Sequence, residues 1–268
     1  MHPALAPFVA SAVAYDVDLG GPGVHRGLPS TTLTFVLPVD APLDVGWPDR
    51  PGTRERRWST VSGLHPHPAA IHHDGHQRGV QLALTPAGAR ALLGVPAAVL
   101  AAELLEIGDV APGLADLPDR LHGTPRSAWL TVVESSLLAA LARTDAPAPR
   151  AEVGRALARL TRGATVSAVA DEVGYSRRHL ATLIRDEYGV APKQLQRIGR
   201  FQTSRALVGR APLADVAQRC GYADQAHLTR EWRALAGCPP STWLREEFPF
   251  VQDPERVAEA GWGHEQRS

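Results

Sequence analysis

Apolar positions change period along this chain. In TTLTFVL (31–37), Leu33, Phe35 and Leu37 alternate with Thr32, Thr34 and Val36. That two-residue period belongs to a strand with one buried face. Pro and Gly punctuate the neighbouring GLPS, VGWPDRPG and SGLHPHP as turns. From about residue 86 the period becomes helical. TPAGARALLG offers Thr85 as N-cap, Pro86 at the first helical position and Gly94 beyond the end. In RSAWLTVVESSLLAALART, Trp129, Val132, Val133, Leu137 and Leu141 fall close to one stripe. The Pro/Ala-rich TDAPAPR (144–150) reads as a linker. From 151 to about 247 the pattern is helices joined by short turns.

Two segments of that second half repeat each other. They are TVSAVADEVGYSRRHLATLIRDEYG (165–189) and PLADVAQRCGYADQAHLTREWRALAG (212–237). Val166, Val169, Ala170 and Val173 in one copy, and Leu213, Val216, Ala217 and Cys220 in the other, form one buried helical stripe. Cys220, matching Val173, is read as core. Gly174-Tyr175 and Gly221-Tyr222 follow, where glycine permits the positive φ that ends a helix. Ser176 and Asp224 then serve as N-caps of a second helix. Helix, sharp turn and amphipathic helix make a helix-turn-helix. In the second helix of the first copy, Leu180, Leu183 and Ile184 face inward, leaving Arg178, Ala181, Thr182 and Arg185 outside. In the other copy Leu228, Trp232 and Leu235 face inward, leaving Ala226, Thr229, Arg230 and Arg233 outside. Small residues let such a helix sit deep in a DNA major groove. Arg can pair with guanine O6 and N7, and Thr can meet a base edge or a thymine methyl. The helix starts at Ser176 and Asp224 can approach phosphates, although the Asp224 carboxylate itself would repel them.

Charge supports an anionic partner for this half. Net charge over 268 residues is zero, yet residues 1–150 carry 11 Arg against 14 acids, and residues 151–250 carry 14 Arg and one Lys against 10. A basic C-terminal part beside an acidic N-terminal part fits nucleic acid. Apolar runs are too short for a membrane helix, and the N-terminus lacks the layout of a secretory signal. Two cysteines make no disulfide framework. A cytoplasmic protein without a membrane partner is expected.

ADEVGYSRRHL, then APKQL with RF at 200–201, then LADVAQRCGYADQAHLTREWRALAGCPPSTWL together resemble the DNA-binding domain of the AraC/XylS family of bacterial transcription regulators. The most specific piece is G-Y, then D-Q-A-H-L-x-R-x-W, then G-x-x-P-x-x-W. The resemblance implies two helix-turn-helix units joined by one long helix, roughly 191–208, with both recognition helices entering successive major grooves. Gln196 stands where that helix is usually apolar. Ala181 and Ala226 offer no hydrogen bond where relatives often read bases. The resemblance also implies an N-terminal sensor and dimerisation domain, frequently a cupin-like β-barrel.

The resulting expectation is an α+β chain. Its parts are a cupin-like sensor domain (1–143), a linker (144–150), an all-α DNA-binding domain (151–248) and a polar tail (249–268). The function expected is sequence-specific operator binding, without enzymatic activity or a cofactor. Base reading is assigned to Arg178, Thr182, Gln225, Thr229 and Arg230, and base or phosphate contact to Arg177, Arg185 and Arg233. Ser176, Ala181 and Ala226 complete the interface. Double-stranded DNA, RNA polymerase and a small-molecule effector are the expected partners. The helix near 126–143 can either contact a second copy in a homodimer or pack on its own barrel.

The main rival is a metal-binding cupin-like sensor or enzyme fused to the DNA reader. HPHPAAIHHDGHQRGV (65–80) holds five of the eleven histidines, and imidazole is a common zinc ligand. Asp74-Gly75 signals a two-residue hairpin. In that register His73 faces His76 at the tip, beyond an apolar barrel face, and His72 points away. Only His73 and His76 then converge, whereas zinc takes three or four protein ligands. Both cysteines lie after residue 219, so a thiol nucleophile in the first half is excluded.

Overall fold

The computed structural model describes residues 1–145 and 150–246. Most of the expected linker (146–149), the last two residues of the expected 151–248 domain and the whole expected tail lie outside the described residues.

Among the described residues, eight strands form two four-stranded antiparallel sheets. They are β1 (Val9–Asp18), β2 (Gly23–Gly27), β3 (Leu33–Pro38), β4 (Leu43–Gly46), β5 (Glu55–Arg57), β6 (Thr60–Ser62), β7 (Ala69–His73) and β8 (His76–Leu84). One sheet runs β1-β8-β3-β6 and the other β2-β7-β4-β5. Helices follow: α1 (Pro86–Leu93), α2 (Ile107–Val110), α3 (Leu117–His122) and α4 (Trp129–Arg143). The all-α region is α5 (Ala151–Thr161), α6 (Val166–Val173), α7 (Arg177–Tyr188), α8 (Pro192–Leu207), α9 (Leu213–Arg219), α10 (Gln225–Ala236) and α11 (Pro240–Glu246). Strand and turn first, helix afterwards, is the order that the changing apolar period predicts.

The alternation in β3 is real, but its apolar face does not line the barrel. Leu33, Phe35 and Leu37 pair with Leu84, Leu82 and Val80 of β8. Together they pack outward on Leu92, Leu93, Trp129, Val133 and Leu137 of α1 and α4. The opposite face, with Thr34, Val36, Gln81 and Ala83, looks into the space between the sheets. The helices therefore take the larger share of the apolar side chains of this sheet, and the lumen has a mixed lining.

The expected β7–β8 hairpin is a correction. β7 pairs with β2 and β4, so His73 lies opposite Gly23. β8 pairs with β1 and β3, so His76 lies opposite Asp18. Asp74 and Gly75 turn a corner between sheets. Gly75 has φ +116°, and a Cβ there would sit 2.9 Å from the Gly21 Cα. Burial drove the split. The apolar run Val80, Leu82, Leu84 belongs against the helices, and β7, with its two histidines, cannot follow it there. His73 and His76 consequently do not face each other.

Helix α4 settles on its own domain. A 3-10 turn over Arg126–Ala128 precedes it, and Trp129, Val133, Ser136, Leu137 and Ala140 are its buried side. Val132 and Leu141 are only half-buried at its margin.

Candidate nucleic-acid interface and effector cavity

Each repeat folds as a helix-turn-helix for the local reasons its sequence supplies. Thr165 caps α6 by accepting from the Ala168 N–H, and Gly174 closes that helix at φ +73°. The Ser176 hydroxyl then accepts from the His179 N–H at 3.1 Å and starts α7. In the second copy Gly221 takes φ +74°, and the Asp224 carboxylate accepts from the His227 N–H at 2.6 Å to start α10. Leu180, Ile184, Leu228, Trp232 and Leu235 are buried; Leu183 is half-buried. Cys220 is buried beside Val216 and Leu228, and burial raises its thiol pKa. Helix α8 joins the units, and the Gln196 side-chain amide donates to the Ala164 carbonyl, which satisfies the polar group in an apolar position.

Ser176, Arg177, Arg178, Thr182 and Arg185 are exposed along α7 and its start, and Ala181 is half-exposed. Gln225, Ala226, Arg230 and Arg233 are exposed along α10, and Thr229 is half-exposed. The Thr182 hydroxyl donates back to the Arg178 carbonyl at 3.2 Å, and the Thr229 hydroxyl to the Gln225 carbonyl at 2.9 Å. Each keeps acceptor capacity toward solvent. These residues form one outward stripe per helix.

Two further pairs repeat and were not singled out from sequence. Tyr175 meets His179 edge-on at 4.9 Å between ring centroids, and Tyr222 meets His227 at 5.4 Å. Both histidines sit in the first turn of a recognition helix. The available signal was the repeated Gly-Tyr with a His four or five residues later. Burial pushes the Tyr222 hydroxyl up to about 12. The second unit is tied to α8 by Arg197, which grips the Glu231 carboxylate with two bonds of 2.9 and 3.1 Å. Trp232 Nε1 donates to the Ser204 hydroxyl at 2.9 Å.

A cavity of about 710 Å³ lies between the two sheets and opens against the all-α region. Its apolar lining includes Val36, Val45, Trp47, Ile71 and Leu104; its polar lining includes His25, Thr34, Thr60, Ser62, His65 and Gln81. Thr161, Arg162, Gly199, Gln202, Thr203, Arg205 and Ala206 close the mouth, most of them from the C-terminal half of α8. Gln202 Oε1 accepts from both the Thr31 N–H and the Thr31 hydroxyl, at 2.8 and 2.9 Å. His25 Nδ1, Thr60 Oγ1 and Ser62 Oγ are buried without a hydrogen-bond partner among the described residues. Sequence spacing could not assemble this set, because it draws on strands of both sheets and on a helix far downstream.

The histidine stretch is split, with His72, His73 and His76 lining a cavity apart from His65. His65 is buried beside Trp47, and its Nδ1 donates to the His67 carbonyl at 2.6 Å. Burial lowers its pKa to about 4. His73 stacks obliquely on His25 at 5.6 Å. Burial, then the charge of His73, lowers the His25 pKa to about 4. His76 pairs with Asp16 at 2.9 Å on the exposed rim. Among the described residues no three His, Cys, Asp or Glu side chains are grouped to hold a metal ion. Also among them, no helix is long and apolar enough to cross a membrane.

The family described as the helix-turn-helix domain matches residues 151–246. Solved structures of ToxT from Vibrio cholerae share the whole architecture. One is 12% identical, covers 92% of this chain and 100% of that chain, and gives a TM-score of 0.51. An apo form of a ToxT variant is 12% identical over 88% of this chain and 97% of that one, at 0.53. Wild-type ToxT with an unsaturated fatty acid bound is 11% identical over 92% and 98%, at 0.51. At such identities the likeness speaks for the fold, an antiparallel cupin-like domain followed by a helical one. No curated protein sequence matches the chain.

Proposed function

We propose that residues 151–246, which match a helix-turn-helix domain family, are an AraC-type DNA reader, and that this protein reads a two-part operator under the control of a small molecule held in its β-domain. The observation that carries the reading is the pair of matching outward stripes, Arg178, Thr182 and Arg185 on α7 and Thr229, Arg230 and Arg233 on α10. Arginines of such a stripe pair with guanine edges or with phosphates, and the small Ala181 and Ala226 let each helix sit deep. Gln225 joins the base-reading set, and Ser176, the N-cap of α7, lies where a helix start approaches the backbone of the duplex. Four regions serve this reading: sensor 1–143, linker 144–150, DNA reader 151–248 and tail 249–268.

The cavity supports the control element. It has the size and mixed lining of a small-molecule site, and its mouth is formed by the helix that joins the two readers. A ligand there would touch α8 directly and satisfy His25, Thr60 and Ser62. ToxT, with the same fold, holds an unsaturated fatty acid in one structure. Here the three unpartnered polar groups favour a ligand with hydrogen-bonding atoms along its body. The protein acts as a regulator rather than an enzyme, in the cytoplasm where the chromosome lies. Contact with RNA polymerase and a homodimer, with Leu130 exposed on the outer face of α4, complete the reading.

The test is a selection of duplex fragments from random sequence with the purified chain. Enrichment of a two-part site is expected. Retention of all sequences alike would overturn specific reading.

A further inference from the structure

The molecule divides physically inside its DNA-reading half. One continuous apolar core holds the sheet and helix residues Leu82, Leu92 and Trp129 together with Leu160, Ile184 and Leu195 of the first helix-turn-helix. A separate core, with Phe201, Val216 and Trp232, belongs to the second. Helix α8 crosses the divide, with Leu195 in one core and Phe201 in the other.

Polar contacts follow the same division. Arg90 of α1 holds Glu187, at the end of recognition helix α7, with bonds of 2.8, 3.1 and 2.7 Å, and Glu187 is buried. Gly189 caps α7 against the 3-10 turn Ala97–Leu100 and the residue after it. A Cβ on Gly189 would lie 2.3 Å from the Ala101 Cβ and 3.1 Å from the Ala98 Cα. Gly237 is the matching cap of α10, and there a Cβ would only graze Pro68, at 3.4 Å. The second unit also meets the β-domain, among other places through Leu28, through the solvent-accessible Arg26–Glu246 pair at 3.2 Å, and through Gln202 bonded to Thr31 at the cavity mouth.

We propose that the β-domain and the first helix-turn-helix are one rigid body, and that control acts by re-aiming the second helix-turn-helix alone about the middle of α8. The pivot lies near Gly199, where α8 abuts the Thr161 carbonyl. Toward its C-terminus from there, α8 forms the cavity mouth and carries the second unit through Phe201 and Ser204, while Arg197, just before the pivot, holds Glu231 of α10. Whatever fills the cavity thus presses on the moving part. The Gln202–Thr31 contact at the cavity mouth is one connection that a ligand would displace. The first reader anchors and the second selects spacing. This rests on reading the chain as a two-headed DNA binder.

The test uses the full chain with Cys220 and Cys238 replaced by alanine and spin-label pairs at exposed positions. Asp109→Cys with Asp171→Cys spans β-domain to first unit. Asp109→Cys with Asp215→Cys spans β-domain to second unit. In the free protein the first pair is expected to give the narrower distance distribution. On adding the duplex enriched by the selection above, the second pair is expected to shift by about a helical turn, roughly 5 Å, with the first unchanged. Equal widths in the free protein, or a shift in the first pair as large as in the second, overturns the rigid-body division. If no duplex is enriched, the DNA-reading premise fails, while the free-protein widths still decide the division. Gly189→Ala is expected to broaden the first pair and Ala101→Gly added to it to narrow it again. Gly174→Ala carries the same backbone strain at φ +73° into open space and is expected to leave that distance unchanged. Broadening by both glycine variants alike would show that the strained cap, not the contact with the β-domain, sets the width, and would overturn the proposal.

Discussion

Arg230 is exposed on α10, one turn past Ala226 and beside Thr229, and the partner proposed for it is a base edge. Arg230→Ala is expected to lower affinity for the best site by about 1–3 kcal/mol and to relax preference at one position of it. Binding titrations on selected and scrambled duplexes measure this. Equal weakening on both would make Arg230 a phosphate contact. Inside the β-domain, His25 and His65 carry a pH dependence. Their folded pKa values lie near 4, against 6.5 for the free side chain. The unfolded chain therefore binds more protons between those values, so stability falls as pH drops through about 6.5 toward 4. Each histidine contributes a loss on the order of 1–3 kcal/mol. Denaturant unfolding at pH 7.5 and 4.5 should show it, with a smaller loss in His65→Gln. An unchanged acid loss in that variant would mean that other groups cause it.

Among the elements, α8 packs closely on α5 at Gly199. A Cβ on Gly199 would lie 2.2 Å from the Thr161 carbonyl oxygen. Alanine is favoured over glycine in a helix interior by about 1 kcal/mol. The clash with backbone outweighs that gain, since overpacking a closed contact costs about 1–3 kcal/mol. Gly199→Ala is therefore expected to be destabilising in chemical denaturation, and a more stable variant would show that α5 and α8 can separate freely. The helices of both repeats were legible because their signals are local. Thr165, Ser176 and Asp224 cap helices within three residues, and Gly174 and Gly221 turn the chain where they stand. The β7–β8 connection was misread for the opposite reason. Asp74-Gly75 is a strong turn signal, but a turn fixes only the change of direction. The sheet that each strand joins was decided by which face its distant neighbours could cover.

For the whole molecule, two readers joined by one helix predict a footprint of two patches on one face of the duplex, about 10 base pairs between centres. Hydroxyl-radical cleavage of the selected duplex measures it, and a single patch would mean that only one unit reads. Sequence alone determined that the chain has a repeated, arginine-bearing helix-turn-helix half, because the turns and the caps of α6, α7 and α10 are set by contacts a few residues apart and the repeat states the pattern twice. It also determined strands before helices, through the period of apolar positions. Only the tertiary structure decided where the cavity lies, that its mouth is the connecting helix, that His65 is buried apart from His72, His73 and His76 at the rim, and that the first reader shares a core with the β-domain. Those features arise from side chains such as Arg90 and Glu187 or Thr31 and Gln202, a hundred residues or more apart or nearly so. Burial and long-range hydrogen bonding bring them together, and neither leaves a local spacing to read.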